Sequence, residues 1–176
     1  DPHLDKPLAE ALPEGHIPME IIDHKVIFRG YEEYLPTFNS RAIETLIWRI
    51  PELSERFLLM NDDFMFIGKV RPEDFFQDGK AICYAKMFPT WWARFMRMLR
   101  PERKGHKRIS FKDSMLNAVD IMGGSRRFMF LGHTPRALKK NFFEDFFKEH
   151  DDLIIRNIHH KFRNAEQFNS QELFYI

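Results

Sequence analysis

Apolar and polar positions fall into blocks along this chain, and the period changes from block to block. Met19 to Phe28 (MEIIDHKVIF) sets two short apolar runs around Asp23-His24-Lys25 and predicts a strand. Asn39 or Ser40 caps a helix with apolar Ile43, Leu46, Ile47 and Ile50, stopped at Pro51. Phe57-Leu58-Leu59-Met60 is a continuous apolar run, the pattern of a strand buried on both faces. A second apolar patch, Phe64 to Ile67, ends at Gly68. Ala81 to Met87 predicts a strand, and Trp91 to Leu99 a helix after Pro89. Ser110 opens another helix, with Asp113 as capping-box partner and Met115, Ala118, Val119 and Met122 inward, ended by Gly123-Gly124. Phe128 to Leu131 reads as a short strand. Leu138, Phe142, Phe143, Phe146 and Phe147 have helical spacing from about Pro135 to His150. Asn164 with Gln167 caps a final helix. Residues 1–18 hold four of the ten prolines and read as a loop. Strands alternating with helices predict a single α/β sheet domain over 1–176, helices on its faces.

Composition adjusts this picture in three places. Phe occurs 19 times against 4 Tyr, which predicts a core packed by aromatic rings. Formal net charge is +1, so there is no overall electrostatic footprint for nucleic acid. The single cysteine, Cys83, cannot close an internal disulfide and fits a reducing compartment. No apolar run approaches the ~20 residues that span a bilayer, and no signal peptide is visible. Asp1-Pro2-His3 and the interrupted helical pattern at Leu173-Phe174-Tyr175-Ile176 suggest a fragment of a longer protein, incomplete at both ends.

Two adjacent carboxylates, Asp62 and Asp63, follow the apolar run at Phe57–Met60. In open α/β sheets ligands bind outside the carboxyl ends of strands, and paired carboxylates there can hold Mg²⁺ with substrate phosphates. A turn explains the same residues equally well. His133 lies between Gly132 and Pro135, on a tight turn, where a histidine could serve as a base or simply face solvent. The tandem His159-His160 has no cysteine or acidic partner at metal-ligand spacing.

The run LPTFNSRAIETLIWRIPELSERFLLMNDDFMF makes the carboxylates more specific. Leu35-Pro36-Thr37-Phe38-Asn39-Ser40, Ile43-Glu44, Arg49-Ile50, Leu53-Ser54, Phe57, Asn61-Asp62-Asp63, Phe66 and Gly68 together resemble the second conserved region of the Stealth family, here about 35–76. Gly132-His133-Thr134-Pro135 and His160-Lys161-Phe162-Arg163 resemble its third region, about 132–175, with a weaker stretch at about 80–125. These are sugar-phosphate transferases of bacterial capsule and exopolysaccharide synthesis, with an animal relative that makes the lysosomal mannose-6-phosphate tag. The resemblance implies a Rossmann-like sheet of the nucleotide-sugar transferase (GT-A-like) type with flanking helices. It implies transfer of a sugar-1-phosphate from a nucleotide sugar, usually UDP-linked, to a glycan hydroxyl, with release of a nucleoside monophosphate. It makes His133 the catalytic histidine, puts Asp62 or Asp63 in the active site with Mg²⁺ or Mn²⁺, and gives Arg163 a phosphate contact. Asn39, Ser40, Glu44 and Asn61 become substrate-binding candidates. Asn39 and Ser40 could also be caps, Glu44 a helix-dipole partner, and Arg163 a solvated cap arginine. The family's first region, with its own aspartate, has no counterpart in residues 1–22, and the cysteine-rich fourth region is absent.

Residues 94–108 carry Arg94, Arg97, Arg100, Arg103, Lys104, Lys107 and Arg108 against Glu102 alone, beside Trp91, Trp92, Phe95, Met96 and Leu99. A solvated basic face, a surface for a phosphate-rich glycan acceptor and a membrane-surface helix through 91–108 all fit. The last agrees with a cytoplasmic enzyme peripheral on the inner face of a bacterial membrane. Nucleic acid has no other support. The competing functions are a metal-dependent glycosyltransferase that releases a nucleoside diphosphate, and a non-catalytic glycan-assembly subunit.

Overall fold

A computed structural model describes residues 20–99, 110–132 and 134–176. The loop read at 1–18 lies outside the described residues, as do His133 and the basic residues Arg100, Arg103, Lys104, Lys107 and Arg108.

The first element differs from the expected strand. Asp23 accepts the backbone N–H of Lys25 at 2.8 Å and caps a one-turn helix, α1 (His24–Ile27). The local side-chain bond offers the backbone a helical start that the apolar runs did not reveal. Helix α2 (Ser40–Leu46) begins as expected, with Asn39 capping the N–H of Arg41, and continues as a 3₁₀ turn over Ile47–Arg49. Strand β1 (Arg56–Leu59) follows.

Then come the small hairpin β2 (Phe76–Gln77) with β3 (Lys80–Ala81), strand β4 (Ala85–Pro89) and helix α3 (Thr90–Met98). The strand expected at Ala81 to Met87 is thus split between β3 and β4. Helix α4 (Phe111–Ile121) starts on Ser110, whose hydroxyl accepts the N–H of Lys112, and stops where Gly123 and Gly124 take positive φ.

Strand β5 (Arg127–Leu131) pairs antiparallel with β4, and strand β6 (Arg136–Lys139) pairs antiparallel with β1. The helix expected from Pro135 therefore begins only at Lys140, as α5 (Lys140–Glu149). Residues 136–139 are extended because β1 supplies a ladder partner, and tertiary pairing outweighs the helix preference of Ala, Leu and Lys. Helix α6 (Asp151–Ile158) and the short α7 (Ser170–Leu173) complete the chain. Asn164 and Gln167 do not cap a helix. Asn164 accepts the N–H of Glu166 while Gln167 accepts that of Asn164, which shapes a loop. The cap of α7 is Asn169.

The organisation is mixed α/β, with three two-stranded antiparallel sheets among the described residues. A parallel Rossmann-like sheet is not formed among them. β1 is accordingly half-buried, not buried on both faces as its apolar run suggested, because only β6 flanks it.

The main core joins Phe28, Leu46, Leu138, Phe143, Phe147, Ile158, Phe168 and Leu173, so the aromatic packing expected from the phenylalanines is present. A second cluster holds Met115, Leu116, Val119, Phe128 and Leu131 under β4 and β5. Cys83 is free.

Buried amides tie the layers together. Asn157 donates to Thr45 Oγ1 and the Phe168 carbonyl at 2.8 and 3.0 Å and accepts the N–H of Phe168. Asn117 donates to the carbonyls of Ala165 and Gln167. Both residues hold the 159–169 loop against the helices, and that loop forms one wall of the site described next.

Candidate active site

The register of β1 with β6 decides which segments meet. Leu59 stands opposite Arg136, so the chain leaving β1 at Met60-Asn61-Asp62 emerges beside the chain entering β6. A cavity of about 490 Å³ opens there, walled by the start of α2, the exit of β1, the approach to β6 and the loop between α6 and α7.

The sequence candidates divide between this cavity and its supports. Ser40, Glu44, Asn61, Asp62 and Arg163 line it. Asn61, Asp62 and Asp63 are exposed and belong to a turn closed by the Phe64 N–H on the Asn61 carbonyl, 3.3 Å. The turn and the cavity position are thus one arrangement: Asp62 faces the cavity wall, and Asp63 is its neighbour outside the lining. Asn39 lies behind the wall, fully buried. Its amide donates to the His160 carbonyl at 2.9 Å and to Gln167 Oε1 at 3.0 Å while its oxygen caps α2. His133 is outside the described residues, but Gly132 and Thr134 on either side of it line the cavity.

Arg163 reaches Ser40 Oγ with one guanidinium nitrogen at 3.2 Å. That contact depends on a clamp between distant segments. The Phe38 N–H bonds the Lys161 carbonyl at 3.0 Å, Arg41 donates to the Asn164 carbonyl at 3.3 Å, and the Phe38 and Phe162 rings stack at 5.7 Å.

Four functional candidates were not found from the sequence. Arg136 lines the cavity, half-buried, with its guanidinium 5.8 Å from the Phe111 ring and no ion pair among the described residues. Asn169 and Gln171 also line it. Each is 2% exposed, and Asn169 Oδ1 and Gln171 Oε1 have no hydrogen-bond partner. Both oxygens are closed to solvent. Glu172 stands behind them, 2% exposed, with both carboxylate oxygens unpartnered among the described residues. The reading of 135–150 as one helix hid Arg136. The signal for Glu172 was a charge inside the apolar pattern ending at Leu173-Phe174.

The site's electrostatics follow from this crowding. Burial pushes the Glu172 carboxyl up to about 8, against the pull of Arg136 and with the help of the nearby Glu44 charge. Burial also raises Glu44, opposed by Arg136, Arg163 and Arg41, while Gln171 Nε2 donates to it at 2.6 Å. Near neutral pH Glu172 is therefore mostly protonated, and it neutralises little of the positive charge of Arg41, Arg136 and Arg163. The cavity offers guanidinium donors, polar amide residues and an acidic rim at Asp62. It can take an anion that also bears hydroxyl groups.

Residues 7–84 match conserved region 2 of the Stealth proteins. The chain belongs to the Stealth family. Among its relatives, an exopolysaccharide phosphotransferase of Lactiplantibacillus plantarum is 32% identical over 166 residues, covering 83% of this chain and 49% of the relative. An exopolysaccharide phosphotransferase of Streptomyces coelicolor is 30% identical over 176 residues, covering 93% of this chain and 27% of the relative. The human N-acetylglucosamine-1-phosphotransferase subunits alpha/beta are 44% identical over 71 residues, 40% of this chain and 5% of the relative. This Stealth chain thus spans at most about half the length of these relatives. No helix among the described residues is long and apolar enough to cross a membrane.

Proposed function

We propose that this Stealth chain is the core of a phosphotransferase that moves a sugar-1-phosphate from a nucleotide sugar, UDP-linked, to a hydroxyl of an acceptor glycan. The observation that carries this reading is the joint lining of one cavity by Arg136 and Arg163 and by the amide residues Asn169 and Gln171. Guanidinium groups suit phosphate oxygens, and amide side chains suit sugar hydroxyls. The relatives' names, which are those of polysaccharide phosphotransferases, support the same reaction class.

The acceptor oxygen attacks the phosphorus that bears the sugar. The bond from that phosphorus to the bridging oxygen breaks, and the nucleoside monophosphate leaves. The sugar–oxygen bond is untouched, so the anomeric carbon keeps its configuration. We assign His133 to take the acceptor proton, on the resemblance and on the cavity position of its neighbours Gly132 and Thr134. Arg163, held by Ser40, and Arg136 stabilise charge on the transferred phosphoryl group.

The exposed carboxylates of Asp62 and Asp63 suit a hard cation shared with substrate phosphates better than a closed protein cage. They would hold Mg²⁺ or Mn²⁺, which would supply neutralising charge to the donor phosphates. A place on the inner face of a bacterial membrane is part of the same proposal.

Product analysis tests the reading. Incubation of the protein with UDP-sugar and acceptor glycan should release UMP, and His133→Ala should abolish that release. UDP release would instead favour an ordinary glycosyltransferase. Glycan binding with no release, unchanged by His133→Ala, would favour an assembly subunit.

A further inference from the structure

Two consecutive histidines follow helix α6, and the loop after them folds back toward them. The spacing along the chain gave this pair no acidic partner; the fold supplies one in Glu166. One ligand atom from each of His159, His160 and Glu166 lies within 4.8 Å of the other two. No other three such side chains converge this way among the described residues. The His160 Nε2 to Glu166 Oε2 distance is 3.7 Å, and two ligands of a tetrahedral Zn²⁺ with bonds near 2 Å stand roughly 3.4 Å apart.

An ordinary histidine–carboxylate ion pair does not account for the arrangement. His160 Nε2 is shielded from solvent and has no hydrogen-bond partner. His159 is held from its other ring nitrogen. Its Nδ1 lies 2.8 Å from the Ile155 carbonyl, which calls for the proton there and leaves Nε2 as a lone pair. Metal-bound histidines commonly make this outer contact. The third ligand is also positioned from its backbone: the Glu166 N–H bonds Asn164 Oδ1 at 2.9 Å, and its carbonyl accepts Arg156 Nε at 3.2 Å.

We propose that His159, His160 and Glu166 form a site for a divalent ion of the Zn²⁺ class, which ties the end of α6 to the loop bearing Arg163. Two imidazoles and one carboxylate suit Zn²⁺ over Mg²⁺. The fourth position is left for water. The loop between the ligands includes the His160 carbonyl that receives Asn39, and Arg163 that reaches Ser40. The ion therefore holds one wall of the cavity without touching substrate. The site stands independently of the transfer reaction.

Calorimetric titration of EDTA-stripped protein with ZnCl₂, in millimolar Mg²⁺, tests the site. Saturable binding of one equivalent is expected. His159→Ala and Glu166→Gln should each weaken it by at least the roughly 10–100-fold that even an outer contact is worth. Zn²⁺ should also raise the melting temperature of the unaltered protein more than that of either variant. Cys83→Ser should bind as the unaltered protein does. The Glu166 side chain is 73% exposed, so Glu166→Gln leaves the fold intact. Absence of saturable binding, or binding retained in either variant, overturns the proposal.

Discussion

Glu172 brings its carboxyl into a setting closed to water, with Arg136 as the first favourable charge and Glu44 as an unfavourable one. Its folded value of about 8 stands above the ordinary 4.5, so the native state holds this proton more tightly than the unfolded chain does. The associated stability is complete below pH 4.5 and is lost as pH rises through about 8. Thermal melts from pH 5 to pH 9 should show Glu172→Gln gaining on the unaltered protein as pH rises; parallel curves would remove Glu172 as the titrating group. At the cavity, Arg136→Ala and Arg163→Ala should each weaken donor binding by roughly 10–100-fold, the value of a charge-assisted hydrogen bond. Calorimetry with a UDP-sugar measures this apart from turnover. Asp62, Ser40, Glu44 and Arg163 were legible because they sit in recognisable motifs. Arg136 and Gln171 were not, since their role depends on which wall they line.

At the scale of elements, α2 owes its place to a single side chain. Asn39 caps the helix with its oxygen and spends its amide on His160 and Gln167. Asn39→Ala should cost about 2–4 kcal/mol, the cap plus two buried bonds, whereas Asn39→Ser should recover about 1 kcal/mol of it by restoring the cap. Urea unfolding with an unchanged slope would measure both. Helix starts at Asn39 and Ser110, and the stop at Gly123-Gly124, were readable because capping is local chemistry. The strand at 136–139 and the helix at 24–27 were misread for opposite reasons. The first depends on a ladder partner about 80 residues away along the chain. The second depends on one side-chain bond that outweighs a weak apolar pattern.

Across the whole molecule, one surface does not match the water around it. Trp91 is 68% exposed and Met98 84%, with Trp92, Phe95 and Leu99 also open, while Arg94 and Arg97 turn back to Asp120 and Asn117. The peripheral membrane contact proposed through 91–108 predicts that the protein cosediments with anionic vesicles and that Trp91→Ser with Phe95→Ser abolishes this. Binding unchanged by the pair would refute the contact. The sequence by itself determined the family, the helix starts at Asn39 and Ser110 and the aromatic core, because motif, cap and hydrophobic period are written in neighbouring positions. Only the tertiary structure decided that Asn61 and Asp62 share a cavity with Gly132, Thr134, Arg136 and Gln171, and that Glu166 faces His159 and His160. Those meetings are set by strand register and loop closure, which depend on residues far apart in the chain and leave no mark at either end alone.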